Sequence, residues 1–137
     1  MIDASSALDD DGTGDWRDNW CLDGKKCEVT NSADGMSFKS GPEAGDNAHH
    51  GVLWSKQSFA GDMKVSFDFT RLDTVNRGVC ILYFHANGIG EGEYSKDIHS
   101  WAHLREVPWM KTYFEKMDML HISFAAFGNS NDEAADY

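Results

Sequence analysis

Met63-Lys64-Val65-Ser66-Phe67-Asp68-Phe69-Thr70 alternates apolar and polar residues without a break. A period of two sets Met63, Val65, Phe67 and Phe69 on one face and Lys64, Ser66, Asp68 and Thr70 on the other, which predicts a strand with one buried and one wetted side. Outward from this stretch, short β-favouring runs recur between Gly, Asn, Asp and Ser turns. They predict strands over residues 26–31, 36–39, 50–58, 63–72, 78–86 and 121–127, the pattern of an antiparallel all-β domain. Residues 79–86 are largely apolar on both faces, which places that strand near the middle of a sheet. One segment departs from the pattern. Behind Pro108, Trp109, Tyr113 and Met117 recur at i, i+4 and i+8 with Met110 and Phe114 beside them, predicting one short amphipathic helix packed on the sheet.

The 137 residues, 41% hydrophobic and 12% aromatic, suffice for one domain with a closed core. Acidic residues outnumber basic ones by 23 to 12, giving a formal charge of −11. That balance argues against nucleic-acid and anionic-membrane partners, both of which reward clustered Lys and Arg. No apolar run approaches the ~20 residues of a spanning helix, and Met1-Ile2-Asp3-Ala4 lacks the basic and apolar parts of a signal peptide. Residues 1–15, with Asp9-Asp10-Asp11-Gly12-Thr13-Gly14-Asp15, read as an acidic flexible arm ahead of a domain spanning 16–137. Aligning Gly12 with the glycine of an EF-hand loop puts Ala7 at the first ligand position and Asp18 where the bidentate Glu belongs. Two elements fail, so no cofactor is expected, with calcium on these aspartates a lesser alternative. Cys80 sits in an apolar run and reads as an inert buried thiol. Cys21 and Cys27 flank an Asp23-Gly24 turn signal that leaves two states open, free thiols or a disulfide; the latter implies a periplasmic or secreted home over a cytoplasmic one.

Order and spacing carry a resemblance. The runs His49-His50-Gly51-Val52-Leu53-Trp54, Phe59-Ala60-Gly61-Asp62, Asn87-Gly88-Ile89-Gly90-Glu91-Gly92, Asp97-Ile98-His99-Ser100-Trp101, Met110-Lys111-Thr112-Tyr113-Phe114 and His121-Ile122-Ser123-Phe124-Ala125 together resemble the YesU-like bacterial family of unknown function in the concanavalin A-like lectin/glucanase superfamily. The resemblance covers roughly residues 16–137. It implies a jelly-roll sandwich of two antiparallel sheets, one concave and able to hold a carbohydrate, in a bacterial polysaccharide-degrading setting. Such sandwiches run longer than this chain, so the expectation is an incomplete, N-terminal part completed by a second polypeptide or another protomer.

Six histidines supply the chemistry: His49, His50, His85, His99, His103 and His121. His50 shares strand parity with Trp54, and Tyr83, His85 and Asn87 share parity with one another, a row that would line a sugar cleft if its face is the concave one. The long loop 88–107 adds Trp101, suited to stacking on a pyranose ring, and Arg105, suited to pairing with a uronate carboxylate. His99 and His103 stand at i, i+4, but His-Ser-Trp-Ala-His lacks the Glu of the zinc-protease helix, and no metal is assigned. Retaining hydrolysis needs two carboxylates about 5 Å apart. The Glu-x-Asp-x-x-Glu strand that supplies them in this superfamily is absent, and Asp68 stands alone. Elimination therefore ranks first: a polysaccharide lyase on a uronate-containing glycan, with His50, His85 and Tyr113 as acid and base and Arg77 and Arg105 as neutralisers. The alternatives are a non-catalytic carbohydrate-binding module and a structural or assembly subunit.

Overall fold

The computed structural model describes residues 7–74 and 78–125. Its strands form three two-stranded antiparallel sheets, an all-β architecture with one short helix. Strand β1 (Trp20–Asp23) pairs with β4 (Val52–Ser55), matching Cys21 to Trp54 and Asp23 to Val52. A hairpin joins β2 (Glu28–Ser32) to β3 (Gly35–Lys39) through Ala33-Asp34, with Gly35 at φ +120°, a left-handed conformation that glycine adopts without a Cβ penalty. The third sheet pairs β5 (Cys80–Gly88) with β6 (Met117–Phe124). Between them in sequence lie a 3-10 segment, Ile98–Arg105, and the helix α1 (Met110–Lys116).

The core gathers where α1 and the 3-10 segment meet β4 and the β5–β6 pair. Trp54, Ile98, Trp101, Tyr113 and Met117 are buried, with Val52, Tyr83, Ala86 and Met110 packed against them. Trp54, Tyr83 and Tyr113 stack with ring centroids 5.7–6.3 Å apart and interplanar angles of 6–18°. Inside this stack lies a charge. Asp23 Oδ2 accepts from Trp54 Nε1 at 2.8 Å, from Arg105 Nε at 2.6 Å and from the Tyr113 hydroxyl at 2.8 Å. Arg105 also donates through NH1 to the Ile98 carbonyl at 3.0 Å and lies over the Trp101 ring, whose centroid is 4.3 Å from the guanidinium carbon, while its NH2 is buried with no partner among the described residues.

The most regular alternation in the sequence does not become a strand. Residues 63–72 form no ladder, and Val65, Phe67 and Phe69 stay about half exposed. Alternation specifies which side chains share a face, whereas a strand also needs a neighbour for its N–H and C=O groups. The segment is held by side chains: the Phe67 and Phe69 ring centroids lie 6.0 and 5.0 Å from that of Phe124, and Arg71 donates to the Ala125 carbonyl. Conversely, β1 arises in a stretch read as a cysteine turn, and β6 begins four residues earlier than expected, directly after α1. The expected end of that last strand, residues 126 and 127, lies outside the described residues. The stripe along α1 is split: Tyr113 is fully buried, while Phe114 and Trp109, the residue just ahead of the helix, remain half exposed.

Residues 1–6 of the expected arm lie outside the described residues; residues 7–15 are largely exposed but are tied to the domain through Asp10 and Gly12. Gly12 is buried at φ +74°, and a Cβ there would lie 2.6 Å from the Met36 backbone nitrogen, so the chain crosses the start of β3 at a point only glycine permits.

Truncation of Arg105 tests the core. Arg105→Ala leaves the Asp23 carboxylate buried without its cation and should cost about 3–5 kcal/mol in urea unfolding, against a change within about 0.5 kcal/mol for the exposed control Lys64→Ala. A loss near the control value would show that the pair is not a buried one.

Candidate functional site

Of the residues singled out from sequence, Tyr83 stacks on Tyr113 and Arg105 meets Trp101 and, through Asp23, Tyr113, but they meet in the core and not in an accessible site. Tyr113 is 0% exposed and bonded to Asp23, and burial followed by the adjacent Asp23 charge drives its hydroxyl far above the ordinary tyrosine range, so it is held as a protonated donor. Trp101 and Arg105 are each 1% exposed, which leaves no ring face or guanidinium edge for a sugar. Their assignment to a surface loop is corrected by the reach of Asp23, which draws Arg105 inward. His50 precedes β4 instead of lying on it, and its Nδ1 donates to the Pro108 carbonyl at 3.2 Å. Trp54, its expected neighbour in parity, points into the core.

The row Tyr83, His85, Asn87 is broken by a bulge. The β5–β6 register shifts between Phe84 and Asn87, and His85 sits there at φ +56°, a conformation uncommon for a residue with a Cβ. Tyr83 stays in the aromatic stack, half buried, while His85 and Asn87 are exposed, the Asn87 amide donating to the His85 carbonyl at 3.1 Å. Arg77 lies outside the described residues. The 3-10 segment is kinked at Trp101, and His99 donates from Nε2 to the Ser55 carbonyl at 3.1 Å. Cys21, Cys27 and Cys80 are free thiols. Cys27 Sγ donates to the His50 carbonyl at 3.0 Å. Among the described residues no three His, Cys, Asp or Glu side chains cluster tightly enough to hold a metal.

What the chain does build is an open cleft of about 660 Å³. Its walls include Trp16, Arg17, Trp20, Lys25, Lys56, His103 and Glu106. One wall is a 3-10 turn, Trp16–Asp18, capped by the Asp15 carboxylate accepting from Arg17 N at 3.0 Å. Asn31 on β2 fixes that turn from below, accepting from Trp16 N at 2.9 Å and donating to the Gly12 carbonyl at 2.7 Å. The Trp20 indole N–H is tied to Asp10 Oδ2 at 2.7 Å, which orients the ring, and Asn19 Nδ2 shares the same oxygen at 2.9 Å. Arg17 lies over the Trp16 ring, 4.7 Å from its centroid, and Lys56 Nζ donates to the Arg17 carbonyl.

The opposite wall is a by-product of the core. Asp23 and Arg105 are locked together inside, so their neighbours Gly24-Lys25 and Glu106 emerge side by side at the rim. There Lys25 N donates to the Glu106 carbonyl at 3.3 Å and Lys25 Nζ meets Glu106 Oε2 at 2.5 Å. Gly24, at φ +108°, cannot be replaced cheaply, because a Cβ would lie 2.4 Å from the His50 carbonyl oxygen. The Trp16 indole N–H has no partner among the described residues. That N–H is buried, so the cleft offers two indole rings, three cations and one carboxylate.

Comparison with models of protein families, with curated proteins and with solved structures finds no match. Of the cleft residues the sequence reading marks His103, Cys21 and Cys27, each in another role, while Trp16, Arg17, Trp20, Lys25, Lys56 and Glu106 go unmarked. The available signal was Trp16-Arg17-Asp18-Asn19-Trp20, two tryptophans flanking a cation directly after the acidic run.

Acid should release the Trp20 side of this wall. The side-chain N–H groups of Asn19 and Trp20 and the Gly12 backbone N–H hold the Asp10 carboxyl below its ordinary 3.8. Because the folded value is the lower one, the anchor is fully present above 3.8 and is lost as pH falls through the depressed value. In an NMR titration the Trp20 indole N–H resonance should stay fixed down to that range and then move, and Asp10→Asn should remove the acid-driven step. Movement near neutral pH would contradict the assignment.

Proposed function

We propose that this chain is a carbohydrate-binding domain that holds a glycan in the Trp16–Trp20 cleft. The observation that carries this reading is the cleft itself: an open groove with two indole rings, that of Trp20 oriented by Asp10, and the Arg17, Lys25 and Lys56 side chains around them. Aromatic faces pack against the C–H faces of sugar rings, and N–H donors fix ring hydroxyls. The resemblance to the YesU-like, concanavalin A-like family supports the same reading, and with it a jelly-roll sandwich to which the three small sheets contribute. Isolated two-stranded sheets are marginal and their outer edges invite further strands, which supports completion by a second polypeptide or another protomer in a bacterial polysaccharide-degrading system.

Uronate elimination is the second reading. It loses ground because His50, His85 and Tyr113 stand apart, and it rests instead on His103, an imidazole in the same cleft as Lys25 and Lys56. The two readings separate in one assay. A panel of immobilised oligosaccharides should retain the protein, with chain lengths unchanged and no near-ultraviolet absorbance from unsaturated ends. Trp16→Ala and Trp20→Ala should each weaken retention about 2–10-fold, the range of one aromatic contact. Release of unsaturated products that stops on His103→Ala would replace binding with lysis, and no retention of any glycan would overturn both.

A further inference from the structure

We infer that residues 63–70 are a dimerisation strand, which pairs antiparallel with the same residues of a second copy of this chain. This deepens the completion named above by taking another protomer over a separate polypeptide, and none of these residues lines the cleft. The first observation is an unspent backbone. From Met63 to Thr70 the chain carries no helix, turn or bend, and among the described residues none of its N–H or C=O groups finds a backbone partner. Such an edge is a template for another strand. The second observation is an unspent face. Val65, Phe67 and Phe69, on the apolar side of the alternation, are 52, 53 and 46% exposed. Phe67 and Phe69 reach Phe124 at the end of β6, whose same face carries Leu120 and Ile122, 56 and 55% exposed. Contiguous apolar surface of this kind marks an interaction site.

Register identifies the occupant. With a side-chain period of two, the twofold axis must fall on a residue, since an axis between two residues would set apolar side chains opposite polar ones. Centring it on Ser66 puts Met63 opposite Phe69, Val65 opposite Phe67 and Lys64 opposite Asp68. Symmetry makes each of these pairs occur twice. Moving the centre back to Val65 faces Asp62 with Asp68, and moving it on to Phe67 leaves Lys64 against Thr70 and Asp68 against Ser66. Of these three registers, only the one on Ser66 matches both the faces and the charges. The segment is complementary to its own reverse, and a second copy is the partner that supplies it. The charge of −11 on each copy opposes association at long range. Affinity therefore comes from the apolar side and the backbone ladder, while the exposed Lys64–Asp68 pairs select the register.

The test is sedimentation equilibrium of the full chain over a concentration series, with charge swaps at the seam. The inference expects twice the 15.3 kDa chain mass at the upper end of the series. Lys64→Asp and Asp68→Lys each set like charges across the twofold and should weaken association at least about tenfold. Asp68→Lys also reduces the net negative charge, so a non-specific contact would tighten where this one loosens. Mixing the two single variants should restore association as a heterodimer, and both swaps in one chain should return the wild-type constant. That rescue separates lost pairing from lost folding. Ser66→Cys, on the twofold, should cross-link to itself under oxidised glutathione, beyond what the three native cysteines give in the wild type. A single-chain mass throughout, or a dimer indifferent to both single swaps, would overturn the inference. Glycan retention by such a monomer would leave the binding reading standing, and a dimer that obeys the swaps yet retains no glycan would overturn that reading alone.

Discussion

A single carboxylate oxygen, Asp23 Oδ2, receives an indole N–H, a guanidinium N–H and a phenol in the interior. Taking an anion out of water is expensive, and one cation alone rarely compensates for it. Here the compensation is distributed. Arg105 supplies the opposite charge, Trp54 and Tyr113 supply neutral donors, and Trp101 covers the guanidinium face. Each donor belongs to a different element: β4, the 3-10 segment and α1. The Asp23 carboxylate at the end of β1 thus sets the positions of three elements that share no ladder, which matters in a fold whose described strands pair only two at a time.

The cleft follows from that constraint. Because Asp23 and Arg105 cannot separate, the residues on either side of them are delivered to one rim, where Lys25 and Glu106 form an exposed pair. Exposed pairs of this kind contribute little to stability, so their placement is better understood as a property of the surface than as part of the frame. The facing wall is held by a different device, a set of aspartate and asparagine side chains that cap the Trp16 turn and anchor the Trp20 ring. Asp10, Asp15 and Asn31 thereby do with local hydrogen bonds what Asp23 does with a buried charge. The acidic N-terminal run, which has the composition of a solvated tail, is the scaffold of an aromatic wall.

Much of the secondary structure was legible because it rests on local signals. The hairpin of β2 and β3, the β5 strand and α1 all follow from periodicity and turn residues. The failures share a cause. Alternation in residues 63–72 announces a face but cannot announce a partner, and among the described residues none is supplied. Parity along β5 predicts a row of Tyr83, His85 and Asn87, but a bulge at His85 resets the count, and nothing in the local sequence marks it. Arg105 and Trp101 read as surface chemistry because they stand in a long polar stretch, 88–107, with the composition of a functional loop. The counter-charge to Arg105 lies 82 residues away in sequence, at an aspartate that reads as half of a turn. Long-range charge pairing is invisible to a reading made along the chain, and it is this pairing that separates the core residues from the cleft residues.

The claim that Asp23 organises the interior is tested most directly by a double-mutant cycle. Stability would be measured by urea unfolding for Asp23→Asn, Tyr113→Phe and the double variant, which together isolate the energy of one bond to the shared oxygen. A charge-assisted bond in a buried site predicts a coupling of at least about 1 kcal/mol. Additivity within about 0.5 kcal/mol would contradict the account, since it would mean that Tyr113 and Asp23 occupy the same core without depending on one another.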